Sequence, residues 1–219
     1  MTIYPFIRAI AYPFIKIIYP TKFIGKKNFP KTKDGKAVIL SNHYSMADVI
    51  IVCVGLINRK FNGLSKKELY KNKFIGSFLK SLGGIPIDRE GNDIGAIKDC
   101  VKVLSKGNKL FICPEGTRNR GDYKKMLPLK TGSAVIAIKT KTPITLLLFN
   151  KKPRAFRKNY VMVSKQFELS EYYGDRSADM KERSTLVLEQ KFAELRQEME
   201  KYLSMSKKER KEYEKNCCK

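Results

Sequence analysis

The sequence predicts an α/β fold in which helices flank a mixed, largely parallel sheet. Short apolar runs typical of buried strands alternate along the chain with segments whose apolar residues have helical spacing. Two of the runs, at 37–40 and 144–149, are almost entirely apolar, as in strands that are covered on both faces. The chain has 219 residues, of which 42% are hydrophobic, so it can bury one sizeable core.

Residues 1–24 form an apolar N-terminal segment rich in Ile, Phe and Tyr. Cations interrupt it at Arg8, Lys16 and Lys22, and prolines at positions 5, 13 and 20 are expected to divide any helix into short pieces. The segment therefore fits neither a membrane-spanning helix nor a cleaved signal peptide. Short apolar helices with tyrosines and snorkelling cations favour docking at a membrane surface over simple packing on the core.

Residues 25–176 are predicted to form the α/β domain, which begins with a basic connector containing Gly and Pro. Apolar runs predict strands at 37–40, 60–65, 85–87, 110–113, 144–149, 161–164 and 166–169. Helical spacing predicts helices at 45–56, 66–82, 93–106 and 132–140. Ser45 and Asp48 have the spacing of a capping box at the start of the first of these helices.

Residues 177–219 are predicted to form a charged amphipathic helix and a tail. Between about 179 and 213 an apolar stripe recurs at helical spacing between dense lysines and glutamates. The tail ends in Cys217 and Cys218, which could carry an acyl group or could simply be reduced thiols of a frayed end.

The charge balance points to an anionic partner. Lysine and arginine number 45 against 21 acidic residues, a formal net charge of +24. Such a surplus suits nucleic acid, an anionic membrane surface or a phosphorylated substrate, and charge alone does not choose among them. Five scattered cysteines without a CxxC pair, together with one histidine, argue against a structural zinc site and for a reducing compartment.

The single histidine, His43, lies between a predicted strand end and a helix start, where α/β sheets bind their ligands. Asp48 lies one turn inside the helix that follows, so its carboxylate can point back to the imidazole, fix its tautomer and leave the other nitrogen as a general base. The alternatives are a satisfied polar histidine and an aspartate that merely caps the helix. The sequence has no GxSxG motif and no cysteine paired with the histidine, which favours direct activation of a substrate hydroxyl.

Several cations follow other predicted strands. Glu115-Gly116-Thr117-Arg118 comes after the strand at 110–113, where a guanidinium beside exposed backbone amides suits a phosphate or an oxyanion. Arg89 follows the strand at 85–87, Lys66 lies at a strand-to-helix junction, and Lys130 lies in a basic stretch. Together they indicate one anionic pocket, although any one of them alone is more often a solvated surface charge.

Four motifs resemble those of the 1-acyl-sn-glycerol-3-phosphate acyltransferase (PlsC-like) family. Its NHxxxxD, glycine-rich, FPEGTRS and proline-containing apolar motifs match 42–48, 84–89, 113–119 and 143–146, within a resemblance that covers about 20–165. Cys113 replaces the usual Phe and Asn119 the usual Ser. Thr145-Leu146 stands where the family often has a second proline, which leaves the fourth motif loosely defined.

The resemblance implies a glycerolipid acyltransferase-like fold and transfer of a fatty acyl group from acyl-CoA or acyl-carrier protein to the sn-2 hydroxyl of lysophosphatidate. It implies His43 as the base, Asp48 as its partner, and no metal or cofactor. The residues expected to bind substrate are Lys66, Arg89, Glu115, Gly116, Thr117 and Arg118.

The same reading expects an enzyme held at the cytoplasmic side of the cell membrane as a peripheral or monotopic protein, with an anionic membrane surface and no nucleic acid as partner. Three rival interpretations are an acyltransferase for another lysophospholipid, a non-catalytic basic module that binds RNA or membrane, and a metal-dependent hydrolase. The second rival needs neither His43 nor the 115–118 turn, and the sequence lacks the aromatic and basic pattern of the common RNA-binding fold. The third lacks a ligand cluster.

Overall fold

The computed structural model describes residues 4–31, 35–57, 62–88 and 94–216, and its centre is a seven-stranded sheet. The strands are β1 (Thr21–Ile24), β2 (Ala37–Ser41), β3 (Asn62–Lys66), β4 (Gly84–Ile87), β5 (Lys109–Ile112), β6 (Ile144–Phe149) and β7 (Asn159–Val163). Their order is β1-β7-β6-β2-β5-β3-β4, and every neighbouring pair is parallel except the antiparallel β6 and β7. The predicted mixed, largely parallel sheet flanked by helices is confirmed.

Helices cover both faces of this sheet. They are α1 (Tyr4–Ile18), α2 (Met46–Gly55), α3 (Lys73–Leu82), α4 (Ile94–Ser105), α5 (Gly132–Thr140), α6 (Met180–Ser204) and α7 (Lys207–Asn216). Side chains alternate along each strand, so Ile39 packs with α1 and α2 while Val38 and Leu40 pack with α4, α5 and α6. The central strands are therefore buried on both faces, as their almost entirely apolar runs predict.

Strand direction brings several loops to one edge of the sheet. The parallel strands β2 to β6 all end at this edge, and β7, which runs antiparallel to β6, begins there. Because β1 is parallel to β7, the end of α1 that leads into β1 lies at the same edge. Ligands of open α/β sheets bind at the carboxyl ends of the strands, so this edge is where a site is expected.

The N-terminal segment forms one helix, and the prediction of short pieces was wrong. Pro5 lies in the first turn of α1, where a backbone N–H is not needed, and the helix continues through Pro13. Packing against α2 supports it, and the Tyr4 hydroxyl donates to the backbone oxygens of Cys53 (2.8 Å) and Ile57 (3.1 Å). No helix within 4–31, 35–57, 62–88 and 94–216 combines the length and hydrophobicity needed to cross a bilayer.

Most of the other predicted elements lie within a few residues of their prediction. The predicted strand at 144–149 and helix at 132–140 coincide with β6 and α5. The predicted helix at 66–82 divides into a short 3-10 turn (Lys67–Tyr70) and α3, and the predicted C-terminal helix divides into α6 and α7. The predicted strand at 166–169 is reduced to a single bridge from Phe167 to Ile144. The strand β1 was not predicted. It lies inside the N-terminal segment 1–24, which was predicted to dock at a membrane surface, yet it pairs with β7 in the sheet.

Candidate active site

Asn42 fixes the backbone where β2 ends. Its side-chain amide donates to the Phe149 carbonyl (3.0 Å) and accepts from the Phe149 N–H (2.9 Å). The side chain thereby extends the ladder between β2 and β6 by one step, and it is fully buried. Consequently, the next residue, His43, is held at a fixed position just beyond the edge of the sheet.

His43 and Asp48 form the predicted pair. His43 Nδ1 lies 3.2 Å from Asp48 Oδ2, and both side chains are buried, although His43 still lines a cleft. The same carboxylate oxygen accepts the backbone N–H groups of Tyr44 (2.5 Å) and Ser45 (2.7 Å), because Asp48 lies in the first turn of α2. Asp48 therefore serves both the histidine and the start of the helix. With Nδ1 facing Asp48, Nε2 is the nitrogen left for a substrate.

Glu115 holds the backbone of His43 from the other side. Its Oε1 accepts the His43 N–H (2.9 Å) and its Oε2 accepts the Leu127 N–H (3.0 Å), while the His43 carbonyl accepts the Asn119 N–H (2.7 Å). The Glu115 side chain is buried, and this burial raises the pKa of its carboxyl group against the opposing effect of the two backbone donors. The carboxylate thus joins the histidine to the 113–130 loop.

The turn after β5 depends on glycine at position 116. Gly116 has φ 68°, in the left-handed region, and its N–H donates to the Cys113 carbonyl (3.1 Å). A Cβ atom there would lie 3.2 Å from Cγ of Lys130, whose own N–H donates to the Pro114 carbonyl (2.8 Å). Because glycine leaves this space, the Lys130 side chain passes close to the turn.

The cleft beside His43 has a volume of about 1440 Å³, and both apolar and cationic side chains line it. The apolar lining residues come largely from three helices and include Ile7 of α1, Met46, Val49 and Ile50 of α2, and Phe78 and Leu82 of α3. The cationic lining residues include Lys66, Arg118, Arg120, Lys130, Lys139 and Lys181. Such a cleft suits a ligand with a long apolar tail and an anionic head.

Most of the predicted binding residues line this cleft. Gly116 and the exposed Thr117 and Arg118 border it beside the turn, and Lys66 borders it at the end of β3, where it lies 3.7 Å from the Glu68 carboxylate. Arg89 lies outside the residues that the structure describes. Glu115 was predicted among the substrate-binding residues, but the two hydrogen bonds described above turn its carboxylate toward the backbone.

Arg8 and Cys53 are two of the cleft residues that were not predicted as site residues from the sequence. Arg8 of α1 reaches the cleft, and its buried Nε has no hydrogen-bond partner among the described residues. The sequence around Arg8 indicated only a snorkelling cation. The approach of Arg8 to the cleft depends on how α1 packs on α2. Cys53 of α2 also lines the cleft, and burial raises the pKa of its thiol, so that the thiolate needed for nucleophilic attack is disfavoured.

Part of the chain is similar in sequence to known proteins. Residues 20–147 match the acyltransferase family. A Bacillus subtilis protein named 1-acyl-sn-glycerol-3-phosphate acyltransferase is 39% identical over 123 residues, covering 56% of this chain and 59% of the relative. A Helicobacter pylori protein of the same name is 34% identical over 128 residues, covering 54% of this chain and 53% of the relative. The match thus spans little more than half the length of either relative.

One solved structure has a similar fold. It is the crystal structure of the 1-acyl-sn-glycerophosphate acyltransferase PlsC from Thermotoga maritima, with a TM-score of 0.62 and 20% sequence identity. The similarity covers 88% of this chain and 78% of that one. It extends the likeness in fold beyond the segment that matches in sequence.

Proposed function

This chain belongs to the acyltransferase family, and we propose that it transfers a fatty acyl group from a thioester donor to the sn-2 hydroxyl of lysophosphatidate. Phosphatidate is the product, and acyl-CoA or acyl-carrier protein supplies the acyl group. The observation that carries the proposal is the His43–Asp48 pair at the border of a cleft that is lined by both apolar and cationic side chains. The names of the Bacillus and Helicobacter relatives support lysophosphatidate as the acceptor.

In the proposed reaction His43 acts as a general base. Nε2 takes the proton of the acceptor hydroxyl while the hydroxyl oxygen attacks the thioester carbonyl carbon. Asp48 stabilises the imidazolium through Nδ1. The tetrahedral intermediate then collapses, the carbon–sulfur bond breaks, and the thiolate leaving group recovers the proton from His43. The donor is already activated, so we propose that the reaction uses neither a metal nor another cofactor.

The anionic head of the acceptor is proposed to bind at the 116–118 turn. Arg118 supplies a guanidinium that can form two parallel hydrogen bonds to a phosphate, and Thr117 and Gly116 provide polar groups beside it. Lys66 and Arg89 complete the proposed set. Glu115 is proposed to position His43, because both of its carboxylate oxygens accept backbone N–H groups.

A bilayer is the proposed source of the lipid substrate. The exposed side of α1 carries a continuous apolar stripe of Phe6, Ile10, Phe14 and Ile17, which lie within about one third of the helix circumference. The opposite side of α1 packs on α2 and borders the cleft. We therefore propose peripheral or monotopic attachment to the cytoplasmic side of the cell membrane, where the positive charge of the chain favours anionic lipids.

The proposed reaction is tested by product analysis. The purified full chain is incubated with lysophosphatidate and, separately, acyl-CoA or acyl-carrier protein thioester, and lipid products are identified by mass spectrometry. Phosphatidate formation with at least one donor is expected, and the comparison identifies the donor. If phosphatidate forms with neither donor while another lysophospholipid is acylated, the acceptor assignment is wrong.

Replacing Arg118 with alanine is expected to raise the KM for lysophosphatidate about 10- to 100-fold, because a charge-assisted hydrogen bond to phosphate is lost. The value of kcat is expected to change much less. Initial rates at varied acceptor concentration measure this effect. Arg176→Ala, an exposed arginine that does not border the cleft, removes the same charge and serves as the control. An unchanged KM in Arg118→Ala would refute the phosphate role.

Replacing both Phe6 and Phe14 with serine is expected to weaken binding to anionic vesicles about 10- to 100-fold, because two exposed aromatic rings no longer enter the bilayer interface. Co-sedimentation with vesicles measures the partition coefficient. These surface changes are preferable to deleting α1, because Tyr4 belongs to the core shared with α2. Leu186→Ser, at an equally exposed apolar residue on α6, should leave binding unchanged.

A further inference from the structure

The loop of residues 150–158, between β6 and β7, concentrates positive charge. Five of the eight residues from 151 to 158 are lysine or arginine, and none is acidic. A pocket of about 400 Å³ is lined by Asn159 and by four of these cations, Lys151, Arg154, Arg157 and Lys158. Glu214 of α7 is near enough for its charge to interact with that of Lys158, and its carboxylate is paired with Lys22 at 2.6 Å. The pocket is therefore suited to an anion.

Asn159 holds this loop in a defined shape. Its buried side chain accepts the Arg154 N–H (3.0 Å) and donates to the carbonyls of Arg154 (3.1 Å) and Arg157 (2.7 Å). Pro153 is buried as well, whereas residues 154–158 are exposed. The main chain is thus fastened from within while the side chains of the loop face outward.

Phe156, at the tip of the loop, is 73% exposed and has φ 56°, in the left-handed region. A bulky residue is uncommon in this conformation, and folding gains little from a phenyl ring in water. The Phe156 N–H donates to the Ile18 carbonyl (2.6 Å), the last residue of α1. Phe156 is therefore next to the C-terminal end of α1, near Ile17, the last residue of the exposed stripe.

The loop shares its edge of the sheet with the candidate active site. It begins directly after Phe149, the residue whose backbone is clamped by Asn42. His43 follows Asn42 in sequence, so one pair of hydrogen bonds links the base of the loop to the strand end that carries the histidine. A surface that touches the loop at this edge is also close to the cleft.

We propose that the loop of residues 150–158 is a second membrane contact, in which its cations bind the phosphates of anionic lipid head groups and Phe156 inserts among them. The occupant is a lipid surface rather than a soluble phosphate, because an exposed aromatic ring accompanies the cations beside the end of α1, the helix with the exposed apolar stripe. The inference rests on the proposed attachment of α1 to a bilayer. With contacts at both α1 and the loop, the active-site edge is fixed toward the membrane.

The first test uses a fluorescent reporter, because the sequence contains no tryptophan. Phe156→Trp in the full chain is mixed with vesicles of phosphatidylglycerol and phosphatidylcholine that include brominated lipid. A blue shift of the indole emission and quenching by the bromine atoms are expected. Leu186→Trp on α6 is the control, and its emission should not change. An unshifted and unquenched indole in Phe156→Trp, on protein that sediments with the vesicles, overturns the proposal.

The second test removes charge. Because each cation near an anionic surface contributes about fivefold in partitioning, Arg154→Gln with Arg157→Gln is expected to bind these vesicles about 20-fold more weakly. The loop keeps its shape, since the contacts of Arg154 and Arg157 with Asn159 involve their backbones. Lys98→Gln with Lys102→Gln removes the same charge from exposed positions on α4, which packs on the other face of the sheet from α1. Equal vesicle binding by the two double variants refutes the proposal.

Activity separates this proposal from the proposed reaction. With a short-chain acceptor below its micelle concentration, the Arg154 and Arg157 double variant should react at the wild-type rate, whereas with vesicle-borne acceptor it should be slower. Equal losses of rate in both assays would show that the loop binds the acceptor itself, and would overturn the proposed membrane contact. If the indole shift occurs but the wild-type chain forms no acylated lipid, the proposed reaction fails and the loop contact stands.

Discussion

Replacing His43 with alanine is expected to lower kcat for acyl transfer about 10³-fold, because the hydroxyl of the acceptor then loses its general base. The distance of 3.2 Å to Asp48 and the position of His43 at the border of the cleft both support this role. The rate is measured with saturating donor and acceptor, so that changes in binding do not contribute. Turnover within a few-fold of the wild type would show that His43 is not the base.

The fold is expected to survive the His43→Ala change. Asp48 keeps the N–H groups of Tyr44 and Ser45 as partners, and the backbone of residue 43 keeps its bonds to Glu115 and Asn119. Thermal unfolding and vesicle binding should therefore remain close to those of the wild type. Ser45→Ala is the matched control, because it removes a hydroxyl 3.2 Å from Asp48 Oδ1 and leaves the imidazole in place. Its turnover should be nearly normal.

The interior of the fold was predictable from the sequence, because burial on both faces produces a direct signal. The strand at 144–149 and the helix at 132–140 coincide with β6 and α5, and both are almost wholly buried. The edge strand β1 gave no such signal, because it is four residues long and its burial pattern is mixed. Its pairing with β7 joins residues nearly 140 positions apart, which no local pattern reports.

The break between α6 and α7 could have been found in the sequence. Ser206 and Glu209 have the spacing of a capping box, and the structure contains both of its bonds: Ser206 N–H to Glu209 Oε2 (2.7 Å) and Glu209 N–H to Ser206 Oγ (3.3 Å). The prediction of a single helix rested on the continuous apolar stripe of α6 and not on this capping box. Pro13 shows the reverse case, in which a local signal misleads. Proline usually interrupts a helix, but α1 continues through Pro13 because it packs against α2.

The residues of the candidate site were predictable as a set, but their separate tasks were not. The position of His43 just before a helix and of Asp48 in its first turn was enough to pair the two residues. The task of Glu115 depends on contacts with His43, 72 positions earlier, and with Leu127, on the far side of a loop. Neither contact leaves a periodic or composition signal. A short polar motif in a turn therefore identifies a site, whereas a folded chain is needed to separate the side chains that face the substrate from those that face the backbone.

Replacing Glu115 with glutamine is expected to lower kcat about 10- to 100-fold with little change in the KM for the acceptor. Glutamine has nearly the same shape, but its NH₂ group cannot accept a hydrogen bond, so either the His43 N–H or the Leu127 N–H loses its acceptor. Leaving one buried N–H unpaired costs about 1–3 kcal/mol, part of which can be relieved by displacing residue 43. Displacement of a base by a fraction of an ångström is sufficient to slow the reaction.

Glu189→Leu is the control for this prediction, because glutamine would keep one acceptor oxygen at that position whereas leucine removes it. Glu189 of α6 also accepts a backbone N–H of the same loop, that of Leu129 (3.0 Å), but it has no bond to His43. Loosening of the loop alone would slow both variants equally, whereas a specific effect on the base slows Glu115→Gln far more. If Glu115 instead binds the acceptor, its replacement should raise KM and leave kcat nearly unchanged. The comparison of kcat with KM therefore decides whether this carboxylate positions the base or contacts the acceptor.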